Sequence, residues 1–124
     1  MQDPTTRLRY SDADLEEFRT LIEKKLGRAR GDLDFYQDSL REMADNSDTK
    51  VKGLDDGSAT AEVQRLQGLL NRTQRHVAHL ENALQRIDAK SYGVCRETGE
   101  LIPKERLRAV PHATLSIGAK MSRN

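Results

Sequence analysis

The 124-residue chain is 35% hydrophobic and 4% aromatic, with no tryptophan and 33% charged residues, a balance that excludes a large round core and suits an elongated helical shape. Residues 1–58 carry 10 Lys/Arg against 14 Asp/Glu and residues 59–124 carry 11 against 6, an asymmetry too mild for DNA wrapping or membrane attachment but suited to attraction between the halves or to a partner. With no apolar run near the roughly 18 residues of a membrane span, no apolar signal core and a single cysteine, Cys95, that excludes an internal disulfide, the protein is expected to be cytoplasmic.

Residues 1–10 read as a loose arm, with Tyr10 placed to act as a hydrophobic staple for the helix that follows. Ser11 is the expected N-cap, and Asp12, Asp14, Glu16 and Glu17 suit the positive end of a helix dipole. Two apolar rows with seven-residue spacing, Leu15, Ile22, Ala29, Tyr36 and Met43 beside Leu26, Leu33 and Leu40, form one coiled-coil seam. Gly27 and Gly31 weaken this helix by about 1 kcal/mol each relative to alanine. Taken to about Ala44, it is on the order of 45–50 Å long.

The polar, turn-rich stretch 45–58 contains Gly53 and Gly57 and is expected to be the loop at the tip of a hairpin. A second helix over about 59–89 carries Val63, Leu66, Leu70, Val77, Leu80, Leu84 and Ile87 three and four apart, with Thr73 interrupting the series. His76 and His79 stand three apart on it, two ligands where a metal site needs three or four, and are read as solvated. Two long seams in one short chain most simply pair with each other. The expected fold over 11–89 is therefore an all-α, antiparallel two-helix coiled-coil hairpin, monomeric because it satisfies its own seam.

From Tyr92 the helical period stops, and residues 90–124 read as a small globular base. Tyr92–Cys95 and Arg96–Ile102 read as a short β-hairpin around a tight turn at Gly99. Pro103 fits the first position of a short helix that must end before Pro111, and a last helical turn or two begins near Thr114. Val94, Leu101, Ile102, Leu107, Val110, Leu115 and Ile117 are its candidate core, with Cys95 as a small buried hydrophobe.

The run Tyr92-Gly93-x-Cys95-x-x-Thr98-Gly99-x-x-Ile102, followed by Arg106-Leu107-x-Ala109-x-Pro111-x-Ala113-x-Leu115-Ser116-Ile117, resembles the C-terminal C4 zinc-finger region of the DksA/TraR family of bacterial transcription regulators. The phrase from Ile102 to Pro111 is similar to members of the Bacteroidetes type. The family's four zinc cysteines would fall at positions 95, 98, 116 and 119, where this chain has Cys95, Thr98, Ser116 and Ala119. A hydroxyl or a methyl cannot replace a thiolate on zinc, so no zinc and no other cofactor is expected, and the base is to be held by its own packing. That loss forgoes roughly 10–16 kcal/mol of metal-linked folding energy.

The resemblance further implies a coiled coil that enters the secondary channel of RNA polymerase and brings an acidic tip near the active centre, with no sequence-specific DNA binding. Counted back from Cys95, the family's D-x-x-D-x-A tip motif falls at Lys52, Asp55 and Gly57, of which Asp55 matches and Asp56 adds a second acid. The family's basic contacts to the alarmone ppGpp fall at His79, Val110 and Lys120; Lys120 alone is retained as a nucleotide contact, so a strong nucleotide site is not expected.

Three function classes follow. The leading one is a non-enzymatic regulator that binds RNA polymerase through Asp55 and Asp56. A nucleic-acid-binding module draws on the basic second half but has no aromatic platform. A structural coiled-coil interaction protein needs only the seams. An enzyme is disfavoured by the lack of a motif-linked Ser/His/Asp grouping, a P-loop or a complete metal set.

Overall fold

A computed structural model of the chain describes residues 9–49 and 57–123. Four helices follow in order: α1 over Asp12–Thr49, α2 over Gly57–Asp88, α3 over Lys104–Ala109 and α4 over Ile117–Arg123. The fold is dominated by the two long packed helices expected from the seams. Among the described residues no helix is long and apolar enough to cross a membrane.

Ser11 caps α1 as expected, its Oγ accepting from the Asp14 N–H at 3.1 Å while its carbonyl accepts from the Leu15 N–H at 2.9 Å. At its other end α1 runs on through Asp45–Thr49, and α2 begins at Gly57, so both helices enter the stretch assigned to the tip loop. Polar residues such as Asn46 and Ser47 cost a helix only a fraction of a kcal/mol each, and propagation adds one hydrogen bond per residue. The tip acids Asp55 and Asp56 lie outside the described residues, as does most of the arm at 1–10.

The described residues form two compact units, one comprising the chain up to Leu26 together with His79 onward, the other Gly27–Ala78. In the first unit Leu15, Phe18, Ile22 and Leu26 of α1 are buried, as are Leu80, Ala83 and Ile87 of α2. Phe18 and Ala83 stand outside the two-row seam, whereas Leu84 within it is only half-buried. The apolar face here is broader than a strict coiled-coil stripe. Tyr10 does more than staple: its ring packs 6.0 Å from Phe18, which lies 5.4 Å from Tyr92, and its hydroxyl donates to the Ile102 carbonyl.

Ion pairs join the same elements. Asp12 accepts from Lys90 at 2.7 Å and Asp14 from Lys104 at 2.9 Å, while Arg19 donates to Asp88 at 2.6 Å. Two of the three join an acid of the first half to a base of the second, so the charge asymmetry is used within the chain. These pairs are substantially exposed and contribute modestly.

At the end of α2 the Ser91 N–H reaches the Arg86 carbonyl at 2.9 Å and the Lys90 N–H reaches that of Ile87 at 3.0 Å, with Lys90 at φ 63°. This Schellman arrangement turns the chain sharply into the base. There the expected hairpin is reduced to one antiparallel bridge, Val94 to Leu101, and no strand occurs among the described residues. The turn is nevertheless tight: the Cys95 N–H donates to the Glu100 carbonyl at 2.8 Å and the Gly99 N–H to that of Cys95 at 2.8 Å. So few residues separate Val94 from Leu101 that the turn consumes the ladder.

Pro103 precedes α3 as its N-cap rather than standing inside it, and the helix ends at Ala109 as required. The core of the base is smaller than expected: Ile102 and Leu107 are fully buried, but Val94, Leu101, Val110 and Leu115 are only half-buried and Ile117 is 55% exposed, while Tyr92, Cys95, Ala113 and Ala119 are buried beside the first two. α4 begins at Ile117, three residues later than expected, and turns that side chain outward.

The second unit is thinner. Ala29, Leu66 and Leu70 are buried; Leu33, Tyr36, Leu40, Met43 and Val77 are half-buried. Val63 is exposed despite its place in the seam.

Candidate functional site

The four positions that carry zinc in the resembled family do come together. The Ser116 N–H donates to Cys95 Sγ at 3.4 Å, and Ser116 Oγ accepts from the Ala119 N–H at 3.2 Å, which makes Ser116 the N-cap of α4. The Thr98 hydroxyl is hydrogen-bonded to the same sulfur and holds the Cys95 thiol low; burial opposes it, and main-chain N–H groups of Ser116, Thr98 and Glu97 add to the lowering, to about 6. Ala119 is buried. Hydrogen bonds around one sulfur thus occupy the place of four metal–sulfur bonds.

This donor set does not fit zinc. One thiolate, two hydroxyls and a methyl leave the ion without the thiolates or imidazoles of a closed tetrahedral site. Among the described residues no group of three His, Cys, Asp or Glu side chains is placed to hold a metal ion. Cys95 is 1% exposed, which removes the access a redox-sensing thiol requires, although its acidity is of the kind such thiols have.

A second feature lies in the same unit. His79, Val110 and Lys120, the positions aligned with the family's nucleotide contacts, all line one cleft of about 290 Å³. Arg86 and Arg106 also line it and were not singled out from sequence. Arg86 stands seven residues beyond His79 on α2, hence on the same helical face, and that spacing is the signal that could have found it. Arg86 Nη2 donates to the His112 carbonyl at 3.3 Å and Arg106 Nε to the Leu115 carbonyl at 2.9 Å. Burial draws the Arg86 guanidinium below its usual range.

His79 and His112 stack across this cleft, ring centroids 5.2 Å apart and 9° from parallel. His79 therefore pairs with a ring from the base, an arrangement that the i, i+3 spacing to His76 does not suggest. None of the residues lining the cleft carries a carboxylate. Chemically it is a positively lined recess suited to an anion.

The prokaryotic dksA/traR C4-type zinc finger family model matches residues 90–123. The RNA polymerase-binding transcription factor DksA of Caulobacter vibrioides is 31% identical over 116 residues, 89% of this chain and 75% of that protein. General stress protein 16O of Bacillus subtilis is 26% identical over 99 residues, and the chain spans 60% of its length. The structure of transcription factor DksA2 from Pseudomonas aeruginosa superimposes with a TM-score of 0.81 at 30% identity, over 90% of this chain and 83% of that one. The likeness thus runs well beyond the finger and into both long helices, in sequence and in fold alike: the chain belongs to the DksA/TraR family.

Proposed function

We propose that this protein is a non-enzymatic transcription regulator that binds RNA polymerase directly as a monomer, inserting the tip between α1 and α2 into the secondary channel to modulate initiation. The observation that carries this reading is the likeness over nine tenths of the chain to DksA proteins, one of which is named for binding RNA polymerase. Asp55 and Asp56 supply the acidic tip chemistry, and the two packed helices supply its support. The base acts without zinc.

Polymerase core co-purification, with crosslinkers placed in the 50–56 stretch, tests this directly. Stoichiometric capture and crosslinks near the catalytic centre are expected, both weakened in the Asp55→Asn, Asp56→Asn double variant. A double variant that binds and regulates like its parent would remove the tip assignment.

A second role is favoured by the cleft. Lys120 is the proposed nucleotide contact, and its grouping with His79, Arg86 and Arg106 gives a phosphate-bearing ligand more cationic partners than the sequence count suggested.

A further inference from the structure

Phe35 is 64% exposed in the middle of α1, although its ring meets that of Tyr36 at 5.9 Å. At about 100° per residue, positions 27, 31 and 35 form one row along the helix, and Gly31 stands about 200° round from the covered Ala29 and Leu33. The row therefore runs along the side of α1 opposite the seam. Its other two members are glycines, both exposed, and a Cβ built on Gly27 or Gly31 meets nothing within 4 Å. Glycine inside a helix is costly, and no close approach among the described residues requires either one. Each flank of the row carries a base and then an acid, Arg28 and Asp32 on one side, Arg30 and Asp34 on the other. We infer that α1 pairs with α1 of a second copy of this chain, antiparallel about a twofold axis at Gly31, the Phe35 ring of each copy seated over Gly27 and Gly31 of the other.

Charge order is what names the occupant. A parallel copy would set base against base and acid against acid, whereas a copy turned end for end brings Arg28 alongside the partner's Asp32 on one flank and Asp34 alongside the partner's Arg30 on the other. Positions 27 and 35 lie four residues to either side of Gly31, so in that orientation the ring of one copy is level with the bare backbone of the other. Such a pairing is isologous: the same patch serves both copies and the assembly closes at two. Gly27, Arg28 and Gly31 border the hole into which the ring fits as a knob, and the Arg28 guanidinium can lie against its face. The seam toward α2 is untouched, so the hairpin stays closed. One helix face is smaller than the roughly 1,200 Å² of a stable interface, which makes the pairing weak and reversible and leaves monomer available to polymerase.

Sedimentation equilibrium of the full chain at low salt, from about 10 µM to about 1 mM, is the test, with helix content checked by circular dichroism for every variant. A monomer–dimer equilibrium is expected that weakens as salt is raised. Phe35→Ala, which removes the knob, and Gly31→Leu, which fills the hole, should each weaken it about tenfold or more. Gly68→Ala, at an exposed glycine of α2 where a Cβ also meets nothing within 4 Å, should leave it unchanged. Arg28→Asp should weaken pairing, and adding Asp32→Arg to the same chain should restore it. A chain that remains monomeric at about 1 mM, or a dimer indifferent to both Phe35→Ala and Gly31→Leu, would overturn the inference; a charge swap without rescue would overturn the antiparallel arrangement. A monomeric chain whose capture of polymerase falls on Phe35→Ala would likewise overturn it, giving this face to polymerase instead. Capture by the parent chain is measured separately, so loss of the dimer leaves the regulator reading where it stands.

Discussion

Replacing Gly93 by alanine asks whether close packing against Tyr10 helps hold the base together. Gly93 has φ 81°, and a Cβ built on it would lie 2.7 Å from two carbons of the Tyr10 ring and 3.2 Å from a Leu107 methyl. The left-handed backbone costs an alanine about 1–2 kcal/mol. The ring cannot swing aside cheaply, because Tyr10 is buried against Phe18 and its hydroxyl is bound to the Ile102 carbonyl, so overpacking adds about 1–3 kcal/mol. A total of about 2–5 kcal/mol is expected. Gly99 is the internal control: its φ of 75° is similar, but a Cβ there meets nothing within 4 Å, so Gly99→Ala should cost about 1–2 kcal/mol only. Urea unfolding of the two variants beside the parent measures the difference. Equal losses would mean that the Tyr10 contact is not part of what holds the base, and the packing argument would fail.

The remaining expectations concern the helices, the sulfur and the metal. Gly27→Ala and Gly31→Ala should each stabilise the protein by about 0.5–1 kcal/mol, since a Cβ at either meets nothing within 4 Å and helical glycine is costly; thermal unfolding checks this. Because the folded Cys95 thiol lies below its unfolded value, its contribution to stability is present above about pH 9 and is lost as pH falls through about 6. Thr98→Val should raise that thiol and flatten the dependence, read from thiolate ultraviolet absorbance and from urea midpoints at the two ends of the window. Asp12 and Asp14, lowered by hydrogen bonds from Lys90 and Lys104, act at lower pH, contributing above the ordinary carboxylate value and losing their share below it. A strong chelator should leave the melting temperature unchanged, and metal analysis should find well under one zinc per chain; a chelator-induced loss of the fold would contradict the reading of Cys95, Thr98, Ser116 and Ala119.

The contrast between Ser116 and Ala119 shows what those substitutions accomplish. Ser116 could not ligate zinc, yet its hydroxyl caps α4 and its N–H meets the remaining sulfur, while Ala119 is buried where a thiolate would otherwise require a partner. Each replacement suits a fold held by hydrogen bonds and apolar contact.

Local chemistry in the sequence determined much of this protein. Heptad spacing defined α1 and α2, Ser11 their first cap, and the mismatch at 98, 116 and 119 the lack of a zinc donor set, because each depends only on residue type and short-range spacing. Only the tertiary structure decided that Tyr10, Phe18 and Tyr92 form one aromatic cluster, that Val63 and Ile117 face outward, and that His79, Arg86, Arg106, His112 and Lys120 surround one cleft. Those outcomes depend on contacts between residues far apart in the chain. Periodicity tells which face of a helix is apolar; it carries no information on what covers that face, nor on which distant side chains meet beside it.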